Sequence, residues 1–362
     1  MFNEIDLRAL AERQGPERAF LSLYLSGPDA LSTLDQRIAN VRRLLAGEDV
    51  ELEYFEENLA LVRRYLDEHP FDSPSRCVFA CWATDYLEAF PLQERVPDLL
   101  WVDSSPYIRP LAELQDEYEN YVVVAANNTD AHVYFVTSSE AEEDVRVKGD
   151  VKNHVKVGGW SQKRYERRRD KELHEYAKEI AAVLAELEQR ETFRRVVLVG
   201  SKETLEAIRE ALPAAVAEKV AGEKTVDLHD EDGVWEEAFD LYREEERASE
   251  AALWEQIRGA YLRDGRAVVG AEEVLKAAAV GRVARMIVAR DAKIAGVRCR
   301  ECENLSAGTP DACPVCGSES IFVEDLVNEL VELMTRTSAE AEFTDPIPGL
   351  AEVGHVAALL RY

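Results

Sequence analysis

Long apolar runs are missing from this sequence. No stretch of the 362 residues approaches the roughly 18 consecutive apolar residues that a membrane-crossing helix needs. The beginning, with Glu4 and Asp6, lacks the basic-then-apolar order of an export signal, so a cytoplasmic location is expected. Basic residues are scarce: 43 Lys and Arg face 71 Asp and Glu, a formal net charge of -28 at pH 7. That balance excludes a protein that coats nucleic acid by bulk charge, and it confines any RNA contact to local patches. Catalytic signatures are equally sparse. There is no phosphate-binding P-loop, dinucleotide fingerprint, nucleophile-elbow serine or HExxH pair. The six histidines (His69, His132, His154, His174, His229, His355) are scattered, with no pair at metal-ligand spacing. Internal repeats and low-complexity tracts are absent as well.

What is present describes a folded α/β protein of several domains. Apolar residues make up 46% and charged residues 31%, in a chain long enough for two or three separate cores. The first segment, 1–118, predicts a short helix at Ile5–Ala11 and a strand at Ala19–Leu25. Helices near Thr33–Ala46 and Leu52–Glu68 and strands at Arg76–Trp82, Tyr86–Phe90 and Leu99–Val102 follow. A helical bridge at Pro110–Tyr118 leads to the second segment, 119–263. There Tyr121–Ala126 and Ala131–Val136 flank Asn127-Asn-Thr-Asp130, a hairpin signal, and a third strand is expected near Asp144–Val147. A helix from Ser161 to about Arg190 comes next, then strands at Arg195–Val199 and Lys224–Leu228 alternating with helices at Lys202–Leu212 and Val234–Leu262. The third segment, 264–362, reads as a small α/β/α sandwich interrupted by a cysteine-bearing insertion.

Three features could carry chemistry. Cys299-Arg-Glu-Cys302 and Cys313-Pro-Val-Cys316 are two C-x-x-C knuckles ten residues apart. Each can place two thiolates on one side of a tight turn, so together they suit a structural zinc with four sulphur ligands and no open position. A redox pair or four unrelated thiols are the alternatives. The loop between, Glu303–Ala312, carries no core of its own, and a bound metal would be what orders it. The second feature is a reversal of charge. Between Arg146 and Lys171 ten basic residues face three acids (Asp150, Glu166, Asp170), a local balance of +7. This is either a solvated helix face with i,i+4 pairs or an RNA-facing element. The third lies inside the second: Gly158 and Gly159 run straight into Trp160-Ser161-Gln162. Two glycines allow close backbone approach to a ligand, and a glutamine amide could orient water for ester cleavage. The plain alternative is a helix start capped by Ser161 with Gln162 facing solvent.

At this point the residues resemble a family. Val157-Gly-Gly-Trp-Ser-Gln-Lys-Arg-Tyr-Glu-Arg-Arg-Arg-Asp-Lys-Glu-Leu-His174 resembles the catalytic loop and following helix of archaeal and eukaryotic class I peptide-release factors, Gly-Gly-Gln-Ser-x-x-Arg-Phe-x-Arg-x-Arg. The knuckle pair and the ending Val353-Gly-His-Val-Ala-Ala-Leu-Leu-Arg-Tyr362 are similar to the third domain of the same family. The resemblance implies a ribonuclease-H-like middle domain, a kink-turn-protein-like α/β/α third domain with a zinc knuckle, and a divergent α/β first domain. Two departures shape the expectation. Trp160 stands where the family has its glutamine, and an indole offers one donor and no acceptor. Gln162, two residues on, is placed as in the Vms-type peptidyl-tRNA hydrolases. The first segment also lacks an Asn-Ile-Lys-Ser-like codon-reading motif, so codon-independent action is implied. The expected partners are the ribosome with its tRNA and rRNA, and a translational GTPase is a further candidate; neither DNA nor a membrane is expected. The resemblance assigns catalysis to Gln162 with Gly158 and Gly159, RNA contact to Lys156, Trp160, Lys163, Arg164, Arg167 and Arg168, and zinc to Cys299, Cys302, Cys313 and Cys316. The alternative is a non-catalytic Pelota-like factor in which Trp160 stacks on a base.

Overall fold

A computed structural model of the chain describes residues 5–137, 140–148, 160–263 and 265–362. It is a mixed α/β molecule of two compact units, one made of 1–117 together with 250–362, the other of 118–249. The elements are numbered in chain order.

The chain starts with helix α1 (Leu7–Ala11), capped by the Asp6 carboxylate, which accepts from the Ala9 N–H at 3.0 Å. Strand β1 (Phe20–Leu25), helices α2 (Leu31–Leu44) and α3 (Asp49–Glu68), and strands β2 (Ser75–Cys81), β3 (Tyr86–Leu92) and β4 (Leu99–Asp103) follow. The strands form an antiparallel sheet in the order β3-β2-β1-β4. Every residue of β1 and β2 is buried, Ser22, Ser75 and Arg76 included. One face of the sheet, Leu21, Leu23, Leu25, Val78 and Ala80, packs under Ile38, Phe55, Leu59 and Val62 of the two helices. The opposite face presents Ser22 and Tyr24 to a strap, Ser105–Arg109, that opens helix α4 (Arg109–Glu117).

The second unit opens with the expected hairpin, β5 (Tyr121–Ala126) and β6 (Asp130–Thr137). Its turn is fixed by the Asn127 side-chain oxygen, which accepts from the Thr129 N–H at 2.8 Å and the Asp130 N–H at 2.9 Å. Strand β7 (Glu140–Lys148), the 31-residue helix α5 (Trp160–Arg190), β8 (Arg195–Gly200), α6 (Lys202–Ala211), α7 (Ala214–Ala217), β9 (Val220–Thr225) and α8 (Glu231–Tyr261) complete the unit, and α8 runs on into the other one. The sheet order is β7-β6-β5-β8-β9, with β5, β8 and β9 parallel. Helices α5 and α6 cover one face and the start of α8 covers the other, so the unit has three layers. The last strand falls at Val220–Thr225 rather than Lys224–Leu228, because pairing with β8 begins at Val196↔Val220. Val226 and Leu228 pack instead on the α8 face of the core.

The chain then returns to the first unit with β10 (Ala267–Val269), α9 (Ala271–Ala279), β11 (Val283–Ala289), β12 (Gly296–Cys299), β13 (Leu305–Ala307), β14 (Ser320–Val323), α10 (Leu326–Arg336), β15 (Glu340–Thr344), α11 (Pro348–Glu352) and β16 (Val356–Leu360). One sheet runs β10-β16-β11-β15 and a small one runs β13-β12-β14. The stretch read as a coreless loop therefore contains a strand, β13, paired antiparallel with β12. Helix α10 is buried almost all round, Asn328, Glu329 and Glu332 included. Those polar groups are met by the strap. The Ile108 and Arg109 N–H groups donate to the Asn328 side-chain oxygen at 2.8 and 3.1 Å, and Ser105 Oγ donates to Glu332 at 2.7 Å. Tyr107 OH and Arg109 both donate to Asp325, at 2.7 and 2.9 Å. The first and last stretches of the chain are thus joined by a buried polar network, in which each charge has a partner.

Candidate functional site

Helix α5 begins at Trp160, directly after the glycine pair. Ser161 is accordingly the second helical residue rather than its cap, and Gln162, Lys163 and Arg164 lie in the first two turns. Lys156, Gly158 and Gly159 fall outside the described residues. The far part of the helix is held by an apolar stripe, Leu173, Tyr176, Ala177, Ile180, Leu184 and Leu187, set into the sheet at helical spacing. From 167 to 172 no residue is buried. Arg167 and Arg168 are exposed there, and Lys171 beside them. Arg168 reaches Glu172 at 2.8 Å one turn on, while Arg169 lies half-buried against Glu203 of α6.

The charge order along α5 runs against the helix itself. A helix N-terminus carries partial positive charge, so cations there cost about 0.3–1 kcal/mol each where screening is weak. The first turn of α5 has no acid. Lys163, Arg164, Arg167, Arg168 and Arg169 crowd its first third, whereas Glu172, Glu175, Glu179, Glu186 and Glu188 come later. This order opposes the helix dipole, and the Arg168–Glu172 pair offsets part of that cost. By residue type, the start of α5 suits an anion.

The four cysteines come together. All four Sγ atoms lie within 4.8 Å of one another, with Cys299–Cys316 at 3.4 Å and Cys302 at 3.5 Å from both Cys313 and Cys316. Four sulphurs about 2.3 Å from a tetrahedral zinc would sit roughly 3.8 Å apart, so the cluster could hold that ion with small shifts of the sulphurs. The two knuckles repeat one backbone form. The residue two after each first cysteine donates its N–H to that sulphur, Glu301 to Cys299 and Val315 to Cys313, both at 3.4 Å. The residue after each second cysteine turns left-handed, Glu303 at φ 57 and Gly317 at φ 79. Hydrogen bonds from the Ser318 side chain and backbone pull the Cys316 thiol down to about 6, while Cys302 beside it is pushed up to about 12. The first knuckle closes β12 and the second leads into β14, so the small sheet frames the cluster. The strand pairing and Ser318 were not read from the sequence; the second Cys-x-x-Cys-Gly is the signal that could have marked its turn.

Residues 106–241 match the family described as bacterial archaeo-eukaryotic release factor family 10. Over that stretch the chain is similar to the bacterial archaeo-eukaryotic release factors. Similar curated proteins include the peptide chain release factor subunit 1 of Thermococcus sibiricus, 27% identical over 291 residues, covering 72% of this chain and 70% of that one. The same factor from Archaeoglobus fulgidus is 27% identical over 283 residues, with the same coverage. Among solved structures, Dom34 of S. cerevisiae, a translation termination-like factor, aligns over 76% of this chain and 74% of its own at 12% identity, with a TM-score of 0.45. The matched stretch runs from α4 through β9 into the start of α8, with the whole of α5 inside it.

Proposed function

We propose that this chain is a release-factor-like translation factor that acts at the ribosome in the cytoplasm and hydrolyses the ester bond of peptidyl-tRNA without reading a codon, in ribosome rescue or quality control. The observation that carries the reading is the basic start of α5, placed directly after a glycine pair inside the stretch that matches the release-factor family. Water attacks the ester carbonyl carbon, the tRNA 3′ oxygen leaves and takes up a proton, and the peptide leaves as its acid. Gln162 orients the water, and Gly158 and Gly159 let the backbone approach the ester. Lys156, Trp160, Lys163, Arg164, Arg167 and Arg168 hold tRNA and rRNA, the cations on phosphates and the indole on a base. Residues 1–118, 119–263 and 264–362 serve as three functional segments, and a translational GTPase is a candidate partner. Zinc on Cys299, Cys302, Cys313 and Cys316 would have a structural role, holding β12 and β14 in register.

One observation favours a second reading. Trp160, not a glutamine, follows Gly159, and a non-catalytic Pelota-like factor would need no amide there. Single-turnover release of labelled peptide from stalled ribosome–nascent-chain complexes separates the two. The proposal expects release by the wild type and its loss in Gln162→Ala, with ribosome binding kept. Release unchanged in the variant removes Gln162 from the chemistry. Binding without release by either protein overturns hydrolysis in favour of the non-catalytic factor.

A further inference from the structure

Trp82 is held out from the first sheet on a braced turn. Trp101 and Trp235 are half-buried and Trp254 is buried, whereas Trp82 is 44% exposed. It opens a single 3-10 turn, Trp82–Thr84, between β2 and β3. Its backbone N–H donates to the Asn58 side-chain oxygen at 2.6 Å, and the Asn58 amide donates to the Ala19 carbonyl at 2.8 Å. Asn58 is fully buried, so its amide ties the turn to both α3 and β1. The Asp85 N–H closes the turn on the Trp82 carbonyl, and Asp85 is left-handed at φ 53. A backbone fixed in this way loses little freedom when a ligand arrives. Beside the indole lies Tyr54 of α3, with ring centres 6.4 Å apart and planes inclined at 44°. Tyr54 and Tyr86 pack on the same small buried group, Ala19, Phe20 and Cys81.

The patch carries its own example of cation capture. The Arg13 guanidinium lies over the Tyr86 ring, 4.8 Å from its centre. An indole attracts a cation more strongly than a phenol ring, yet among the described residues no cation lies over Trp82. Carboxylates flank it. Asp85 ends its turn, and Glu57 stands on α3 next to Asn58 and one helical turn beyond Tyr54. Both acids are exposed, and among the described residues neither forms an ion pair. Of the cations at this end, Arg13 is engaged by Tyr86, and Arg18 and Arg300 act on Glu17. A nucleobase could stack on the same indole, but its phosphates would meet the unpaired carboxylates. We infer that Trp82 and Tyr54 receive an arginine side chain from a basic protein segment, with the guanidinium flat on the indole and paired with Asp85 and Glu57. This surface is independent of the proposed hydrolysis and would survive its failure.

The test is fluorescence anisotropy of the full chain with a labelled eight-residue peptide of alternating glycine and arginine. A glycine–lysine peptide and a labelled oligouridylate of the same length serve as comparisons. The arginine peptide should bind, the lysine peptide should bind several-fold more weakly, and the RNA should not bind at Trp82. Trp82→Leu keeps an apolar side chain at an exposed position, and Asp85→Asn keeps a residue that tolerates a left-handed backbone, so circular dichroism should show both folded. Trp82→Leu should weaken the arginine peptide by about tenfold and remove its advantage over lysine; Asp85→Asn should weaken it by about threefold. A chain of net charge -28 attracts any cationic peptide, so binding that ignores Trp82→Leu overturns the inference. No binding, equal affinity for the lysine peptide, or indifference to Asp85→Asn overturns it as well. Trp82-dependent binding of the RNA would make a base the occupant, and a Trp82-dependent dimer in sedimentation would make it a second copy; either result refutes the arginine site.

Discussion

Gly200 shows how much one residue can decide. Its φ is +140, and a Cβ there would sit 1.9 Å from the Ala126 carbonyl oxygen, where β5 and β8 end side by side. Gly200→Ala should therefore destabilise the protein by about 2–4 kcal/mol in chemical denaturation, through backbone displacement rather than lost contact. A wild-type denaturation midpoint in this variant would refute the account. Glu332 makes a different demand. It is 1% exposed, and burial, then the neighbouring Glu329, raise its carboxyl well above the ordinary 4.5, while Ser105 and Arg336 pull the other way. A carboxyl whose folded value is raised holds its proton more tightly when folded. Its stabilising contribution is complete below about pH 4.5 and fades as pH rises toward and through the raised value. Glu332→Gln should hence gain melting temperature relative to wild type as pH is raised from about 5 to about 8. A difference that stays flat over that range would contradict the burial argument. Asn328 completes the residue scale. Asn328→Leu would strip the acceptor from two buried N–H groups, Ile108 and Arg109, at about 1–3 kcal/mol for each group left unpaired.

At the scale of elements, α5 and the small sheet illustrate two ways in which order is obtained. α5 is anchored by its apolar stripe from Leu173 onward, and none of residues 167–172 is buried. Substituting Arg167 and Arg168 together by Ala should leave melting temperature within about 1 kcal/mol-equivalent of wild type. The same change should weaken RNA association and reduce its salt dependence by about two phosphate contacts. The small sheet is the opposite case. Three strands of three or four residues hold little apolar surface of their own, and the four sulphurs converge at one end of them. Elemental analysis should find about one zinc per chain, and a strong chelator or Cys313→Ser should lower the melting temperature. A stable, metal-free protein would contradict a structural zinc.

For the whole molecule the dominant number is the charge. With 71 acids against 43 bases, self-repulsion opposes the compact state. Salt shortens the reach of that repulsion to about 10 Å at 0.1 M and about 3 Å at 1 M. Raising sodium chloride from about 0.02 M to about 0.5 M should stabilise the chain, with about 2–4 °C gained per kcal/mol recovered. A melting temperature that falls with salt would mean that the ion pairs, not the excess charge, dominate. Among the described residues no helix is long and apolar enough to cross a membrane. The buried network from Ser105 to Arg109 against α10 makes 1–117 and 250–362 a single unit, although 132 residues separate them in sequence.

The sequence by itself determined most of the elements. β-rich runs around a turn tetrad became β5 and β6, the 3.6-residue stripe became α5, and the C-x-x-C spacing drew four sulphurs to one place, because each of these signals is local. Only the tertiary structure decided what depends on partners far along the chain. The displaced strand β9, the short strand β13 and the pairing of Asn328 with the strap all follow from long-range packing. A strand of three residues such as β13 has too little pattern to be read alone, and buried Glu329 and Glu332 look like surface residues until their partners arrive. Local propensity writes the elements, and the search for hydrogen-bond partners in a dry interior decides which of them meet.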